Sequence, residues 1–112
     1  MLNEISYKPF ISFFNVTQAA ASQPLLGGIV DYASAVAIEL HSSRNASEPT
    51  VNVRFKNGTT DRTFHDVQIF GQRSLPLSQF ISELAPIAVN STQQWCTVCN
   101  QMSLRGCSVF QQ

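Results

Sequence analysis

Few residues in this chain could do acid–base chemistry. His41 and His65 are the only histidines among 112 residues, and Asp66 follows His65 directly. A general base with an orienting carboxylate has these residue types. Because adjacent residues on a strand point to opposite faces, the pattern favours a surface histidine at both positions over a catalytic pair. Glu39 lies within an apolar run, where we expect a structural ion pair or a strand-end position.

The three cysteines, Cys96, Cys99 and Cys107, all lie in the last 17 residues. They could supply three zinc ligands, but the second C-x-x-C or H-x-x-x-H of a structural zinc site is absent. A redox C-x-x-C normally opens a helix after a strand, whereas this one follows Trp95 near the end of the chain. The three are therefore disulfide candidates, and an odd number leaves one cysteine without an internal partner.

Glycosylation sequons indicate the secretory pathway. Four occur, at Asn15, Asn45, Asn57 and Asn90, where roughly one is expected by chance in a chain of this composition. No signal-peptide pattern is present, and no apolar run approaches the roughly 18 residues that cross a bilayer. Seven basic and seven acidic residues give zero net charge, which indicates no nucleic-acid partner. We expect a secreted, extracellular chain with residues missing before Met1.

Apolar periodicity predicts two short helices. Spacing of i, i+3, i+4, i+7 predicts one over Ser6–Asn15, with Pro9 in its first turn. The same spacing predicts another from Leu77 to Leu84, with Ser74 as a possible cap and Pro86 after its end.

A buried strand and a β-hairpin are predicted between these helices. The nearly continuous apolar run Ile29–Leu40 favours a strand covered on both faces, with a helix as the alternative. Alternation at Val51, Val53 and Phe55 before Asn57-Gly58 predicts a hairpin whose return strand includes Phe64–Phe70. Three segments are predicted to lack regular structure: Ala19–Gly28, Ser42–Pro49 and the tail Asn90–Gln112.

This inventory predicts an α/β fold that is incomplete as a domain. A strand buried on both faces needs helical layers on both sides of its sheet, and two short helices cannot supply them. We therefore interpret residues 1–112 as one partial domain with a Cys-rich tail at 90–112.

Three ordered groups of segments resemble the C-terminal portion of the secreted histidine acid phosphatases of filamentous fungi. The segments are SYKPFISFFNVT at 6–17, DYASAVAIEL at 31–40 with VNVRFKNG at 51–58, and PLSQF at 76–80 with WCTVC at 95–99 and RGC at 105–107. The resemblance implies a phosphoglycerate-mutase-like fold with a mixed sheet flanked by helices. It also implies hydrolysis of phosphate monoesters at acidic pH through a phosphohistidine, with no metal or cofactor.

The catalytic motifs of that family are not matched. The Arg-His-Gly-x-Arg-x-Pro motif is absent, and the family's His-Asp dipeptide would fall near Asn3-Glu4, which do not match it. Glu4 could donate a proton only with an upstream sequence, and His65-Asp66 comes too late in the family's order. We therefore assign no catalytic residue, and phosphate monoester binding would require a missing N-terminal part. The chain is expected to be inactive by itself, as the product of a truncated gene model or as a degenerate copy.

Two questions stay open within this resemblance. Cys99 and Cys107 enclose a short loop that a disulfide could close, leaving Cys96 for a cysteine elsewhere, although other pairings are possible. The alternative function is a non-catalytic secreted glycoprotein or binding module that reuses the fold.

Overall fold

A computed structural model describes residues 2–110, so the predicted ranges 1–112 and 90–112 extend beyond it by Met1, Gln111 and Gln112. Within this part, short helices accompany one antiparallel sheet, which confirms the α/β class in its coarse form. The α-helices are α1 (Lys8–Val16), α2 (Ala19–Ser22), α3 (Leu77–Leu84) and α4 (Thr92–Val98), with 3-10 helices at Pro24–Gly27 and Ser108–Phe110. The strands are β1 (Ala35–His41), β2 (Thr50–Lys56), β3 (His65–Val67) and β4 (Ser74–Pro76).

Helix α1 supplies much of the core, as its apolar spacing predicts. Pro9 occupies the first turn, where its missing N–H costs nothing. Phe10 and Phe14, four residues apart, are buried on one face, and the Phe14 ring packs edge-on against Phe55 at 5.2 Å between ring centroids. Helix α1 is followed by its C-cap, the fully buried Thr17, whose hydroxyl donates a hydrogen bond to a carbonyl one turn earlier.

Strand β2 is the centre of the sheet. It pairs with β1 along one edge and with β3 and β4 along the other. The predicted alternation is confirmed, because Val51, Val53 and Phe55 are buried while the residues between them are only partly covered. The register sets Ile38 opposite Val53 and Leu40 opposite Val51, so these β1 side chains share the core face.

The expectation of a strand covered on both faces is wrong within the described residues. The segment Ile29–Leu40 contains a strand, not a helix, but it begins only at Ala35, and no residue of β1 is buried. On the core face, the cluster around α1 covers β1 at Val36 but leaves Ile38 and Leu40 exposed. On the opposite face, Glu39 is partly exposed and His41 is exposed.

The predicted tight turn at Asn57-Gly58 is also wrong. An eight-residue loop, 57–64, connects β2 to β3, and the return strand is shortened to His65–Val67. Asn57 lacks the positive φ that a type I′ turn requires. Its carboxamide oxygen instead accepts hydrogen bonds from the Asp31 amide and the Ser34 hydroxyl, both at 3.1 Å. These contacts with the segment before β1 hold the loop open.

A two-residue turn lies further along, at Phe70-Gly71. Both residues have positive φ, 50° and 77°, and Ile69 and Gln72 exchange backbone hydrogen bonds across the turn. Phenylalanine is not a typical residue at such a position, so this turn is not predicted from residue type.

Helix α3 is confirmed, but its predicted cap is not. Ser74 lies in β4, where its hydroxyl donates a hydrogen bond to the Asn52 side chain at 2.9 Å. Glu48, from the loop before β2, caps the helix by accepting hydrogen bonds from the Ser78 amide and hydroxyl at 3.1 and 2.9 Å. A carboxylate there also complements the positive end of the helix dipole.

Two segments that were predicted to be irregular contain helices. Ala19–Gly28 forms α2 and a 3-10 helix, and the tail contains α4 and another 3-10 helix. The Ser91 hydroxyl caps α4 by accepting from the Gln94 amide at 3.1 Å, and the Gln94 side chain reaches back to the Asn90 amide at 2.8 Å. This reciprocal arrangement resembles a capping box and explains why a polar, cysteine-containing segment becomes helical.

Candidate functional site

The polar face of the sheet carries an ion network centred on Arg54. Its guanidinium lies 3.6 Å from Glu39 and 3.6 Å from Asp66, and Glu39 also contacts His41 at 2.9 Å. The pKa of Glu39 is lowered, mainly by the hydrogen bond with His41 and further by the charge of Arg54. The expectation of a structural ion pair for Glu39 is confirmed. All four side chains are partly or largely exposed, so the network is a solvated surface feature.

His65 has a carboxylate partner, but the partner is Asp61. Nε2 of His65, the first residue of β3, lies 2.9 Å from Oδ1 of Asp61 in the loop between β2 and β3. Hydrogen bonds from the Asn57 amide, from His65 and from the Thr63 amide lower the pKa of Asp61 to about 2. The Thr63 hydroxyl lies 3.4 Å from His65 Nε2, the nitrogen that is already hydrogen-bonded to Asp61. His65 therefore has no free nitrogen facing Thr63 that could activate its hydroxyl as a nucleophile.

The adjacent His65 and Asp66 point to opposite faces, as expected. His65 lies opposite Phe55 in the register, and Asp66 lies opposite Arg54. Glu4 is exposed in the N-terminal segment, and the carboxylate partners of His41 and His65 are Glu39 and Asp61 instead. In the described part of the chain, no group of three or more His, Cys, Asp or Glu residues could hold a metal ion.

One disulfide joins Cys96 to Cys107, and Cys99 is an exposed free thiol. Of the pairings that the sequence leaves open, the structure thus contains Cys96–Cys107 and not Cys99–Cys107. On α4, Cys96 faces inward and is fully buried, whereas Cys99, one turn later, faces solvent. Because two of the three thiols are consumed by the bridge, the zinc alternative does not fit this arrangement.

All four predicted glycosylation sites lie at the surface. The side chains of Asn15, Asn45, Asn57 and Asn90 are exposed. The sequon of Asn15 differs from the others, because the hydroxyl of its Thr17 is buried and hydrogen-bonded inside the fold. Glycan attachment at the four positions stays a prediction.

An open apolar groove of about 1090 Å³ lies between the N-terminal segment, α1, the loop before β1 and β1 itself. Tyr32, at its rim, is 96% exposed and Ile38 is 57% exposed, and beyond the groove Leu40 is 62% exposed. We call this surface the apolar groove; its apolar lining includes Leu2, Ile5, Tyr7, Phe10, Phe13, Ile29, Val30, Tyr32, Val36 and Ile38.

Helix α3 presents a second apolar surface. None of its eight residues is buried, although its apolar residues recur at helical spacing. Phe80 packs against the core, but Ile81 is 57% exposed. An amphipathic helix normally buries such a face, so this one lacks full cover.

The chain exposes more surface than a compact protein of the same mass. Its accessible surface is 8315 Å² for a mass of 12.4 kDa, whereas a compact monomeric protein of that mass exposes about 6100 Å². Its radius of gyration is 16.8 Å, against about 13 Å for a compact domain of this length. The difference in area, about 2200 Å², exceeds the roughly 800 Å² that one partner buries in a standard interface.

No protein-family model, curated protein or solved structure matches the chain at a significant level. No helix within residues 2–110 is both long enough and apolar enough to span a membrane.

Sequence reasoning missed the residues that define the apolar groove. Tyr32 and Ile38 were assigned to a strand buried on both faces, and their exposure depends on which segments cover the sheet. One feature of the sequence does indicate this surface. The run Ile29–Leu40 is more apolar than a strand with one solvent-facing side, and the chain has too few helices to cover both of its faces, so an exposed apolar surface is expected.

Proposed function

We propose that this chain is a scaffold segment of a secreted histidine acid phosphatase, which contributes packing surface and no catalytic residue. The observation that carries the proposal is the excess of exposed surface, about 2200 Å², together with the uncovered apolar faces of β1 and α3.

The energetics favour a partner layer over these faces. Burying one Leu or Ile side chain stabilises a protein by about 1.5–3 kcal/mol. Ile38, Leu40 and Ile81 are each more than half exposed, and none of this stabilisation is fully realised in the chain alone. A further layer packed on them would stabilise both components.

The phosphatase assignment is supported by where the resembling segments fall. The first corresponds to α1, the second pair to β1 and β2, and the last group to the start of α3 and the disulfide-linked tail. All are elements of the scaffold. The nucleophilic histidine and the phosphate-binding arginines would come from outside this chain, and phosphate monoesters would be the substrates of the complete domain.

A second candidate is a non-catalytic secreted module. It is favoured by the core that the chain forms by itself, in which Phe14, Ile69 and Leu75 are fully buried. Such a module would fold without a partner and would use the apolar groove as a binding surface.

Two assays on the isolated chain test these proposals. Hydrolysis of p-nitrophenyl phosphate from acidic to neutral pH should stay at background, and turnover above background would contradict the scaffold proposal. An apolar-surface dye should fluoresce strongly, and Ile38→Thr should weaken the signal more than the control Val98→Thr, which alters an exposed apolar side chain on α4. Cooperative unfolding of the isolated chain without aggregation would instead support the independent module.

A further inference from the structure

The outer edge of β1 is unpaired and lies between two sequons. Among residues 2–110, β1 pairs only with β2, so one row of its backbone N–H and C=O groups is open. Asn45 lies in the turn of the loop that leaves β1 at its C-terminal end. At the other end, the Asn57 side chain is hydrogen-bonded to Asp31 and Ser34, just before the strand begins.

This edge suits pairing with a second copy of itself. In an antiparallel arrangement centred on Ile38, Val36 of one copy would lie opposite Leu40 of the other, on the same face. The pairing would thus align apolar side chains in a continuous row. The net charge of zero offers no repulsion between copies. The edge has neither a lysine nor a proline, two of the devices that natural proteins use to blunt an exposed strand.

The two asparagines are suitably placed to carry glycans in the folded chain. The Asn57 carboxamide oxygen is held by its two donors, whereas its nitrogen, the glycan attachment atom, makes no hydrogen bond with any described residue. Thr59, which completes that sequon, is exposed, and so are Asn45 and its Ser47. The strand between them spans only about 23 Å, and N-glycans are bulky surface groups.

We propose that N-glycans on Asn45 and Asn57 flank the open edge of β1 and prevent a second copy from pairing with it. The proposal rests on the secretory part of the proposed function but not on phosphatase identity. It assigns these two sequons a role that Asn15 and Asn90 do not share.

The test uses the chain secreted from a eukaryotic host behind an added signal peptide. Ser47→Ala and Thr59→Ala together remove both glycans and keep the asparagines, including the hydrogen bonds of Asn57. Thr92→Ala removes the Asn90 glycan as the matched control. At equal concentration, light scattering should give the double variant at least twice the polypeptide mass of wild type, while the control should match wild type. Hydrogen exchange of peptides from Ala35–His41 should slow on association.

Three results would overturn the proposal: an equal polypeptide mass for the double variant and wild type, association without slower exchange in β1, or glycopeptide mass spectra in which Asn45 and Asn57 of the wild type are unmodified. If the double variant is not secreted, enzymatic removal of glycans from the folded wild type gives the same readouts. Failure of the scaffold proposal would be seen separately, as hydrolysis of p-nitrophenyl phosphate by the isolated chain.

Discussion

Removal of the Cys96–Cys107 bridge should destabilise the chain strongly. The bridge joins residues 11 apart in sequence, and closing a loop of about that length stabilises a folded protein by about 3 kcal/mol through the entropy of the unfolded chain. Domains of this size have total stabilities of about 5–15 kcal/mol. Cys107→Ala should therefore remove a large part of the free energy of unfolding, measured by urea denaturation followed by circular dichroism.

Cys99→Ser is the matched control for this prediction. Cys99 is exposed and outside the bridge, so its replacement should change the free energy of unfolding by less than about 0.5 kcal/mol. If Cys99→Ser destabilises the chain as much as Cys107→Ala does, or if peptide mapping finds a Cys99–Cys107 bond, the pairing and the energetic reasoning are both refuted.

Three further perturbations test the core, the loop and the capping of α3. Phe14→Ala should lower the free energy of unfolding by about 3–5 kcal/mol because the ring is fully buried, whereas Tyr32→Ala, at an exposed position, should change it by under about 0.5 kcal/mol; equal urea midpoints would contradict the core assignment. The pKa of Asp61 is lowered from 3.8 to about 2. The ionised Asp61 carboxylate therefore stabilises the folded chain fully above about pH 4, and this stabilisation is lost as the pH falls towards 2. Asp61→Asn should lack this component of acid unfolding in midpoints measured across that window, and an unchanged pH profile would refute it. Glu48→Ala should destabilise the chain by about 0.5–2 kcal/mol in thermal or urea unfolding, while Glu83→Ala on the exposed side of α3 should not, and equal effects would exclude a capping role.

Local periodicity was sufficient to predict several elements. Helix α1, helix α3 and the alternation along β2 depend on residues that are close in sequence and bury one face. The ion pair of Glu39 was also expected, since a carboxylate within an apolar strand needs a charged or polar partner. These features require no knowledge of distant segments.

The features that the sequence failed to predict depend on contacts between distant segments. Asn57-Gly58 does not form a tight turn because the Asn57 side chain is hydrogen-bonded to Asp31 and Ser34, more than 20 residues away in sequence. The partner of His65 is Asp61, not Asp66, because the irregular loop before β3 places the Asp61 carboxylate next to the His65 ring. The apolar run indicates that β1 needs cover, but which of its residues are exposed depends on the segments that pack on the sheet.

The sequence leaves the cysteine pairing open because helix α4 is not evident from it. Once Ser91 and Gln94 cap a helix, Cys96 and Cys99 lie one turn apart, and only the buried Cys96 is paired with Cys107. Spacing within the tail could not distinguish these alternatives without the helix.

We propose that this chain is the scaffold of a phosphatase whose catalytic residues lie elsewhere. It is tested most directly by sequencing the full transcript upstream of the Met1 codon. We expect an in-frame Arg-His-Gly motif and, after it, a His-Asp dipeptide. A stop codon directly upstream, with neither motif in frame, would contradict it and leave the independent secreted module as the better description.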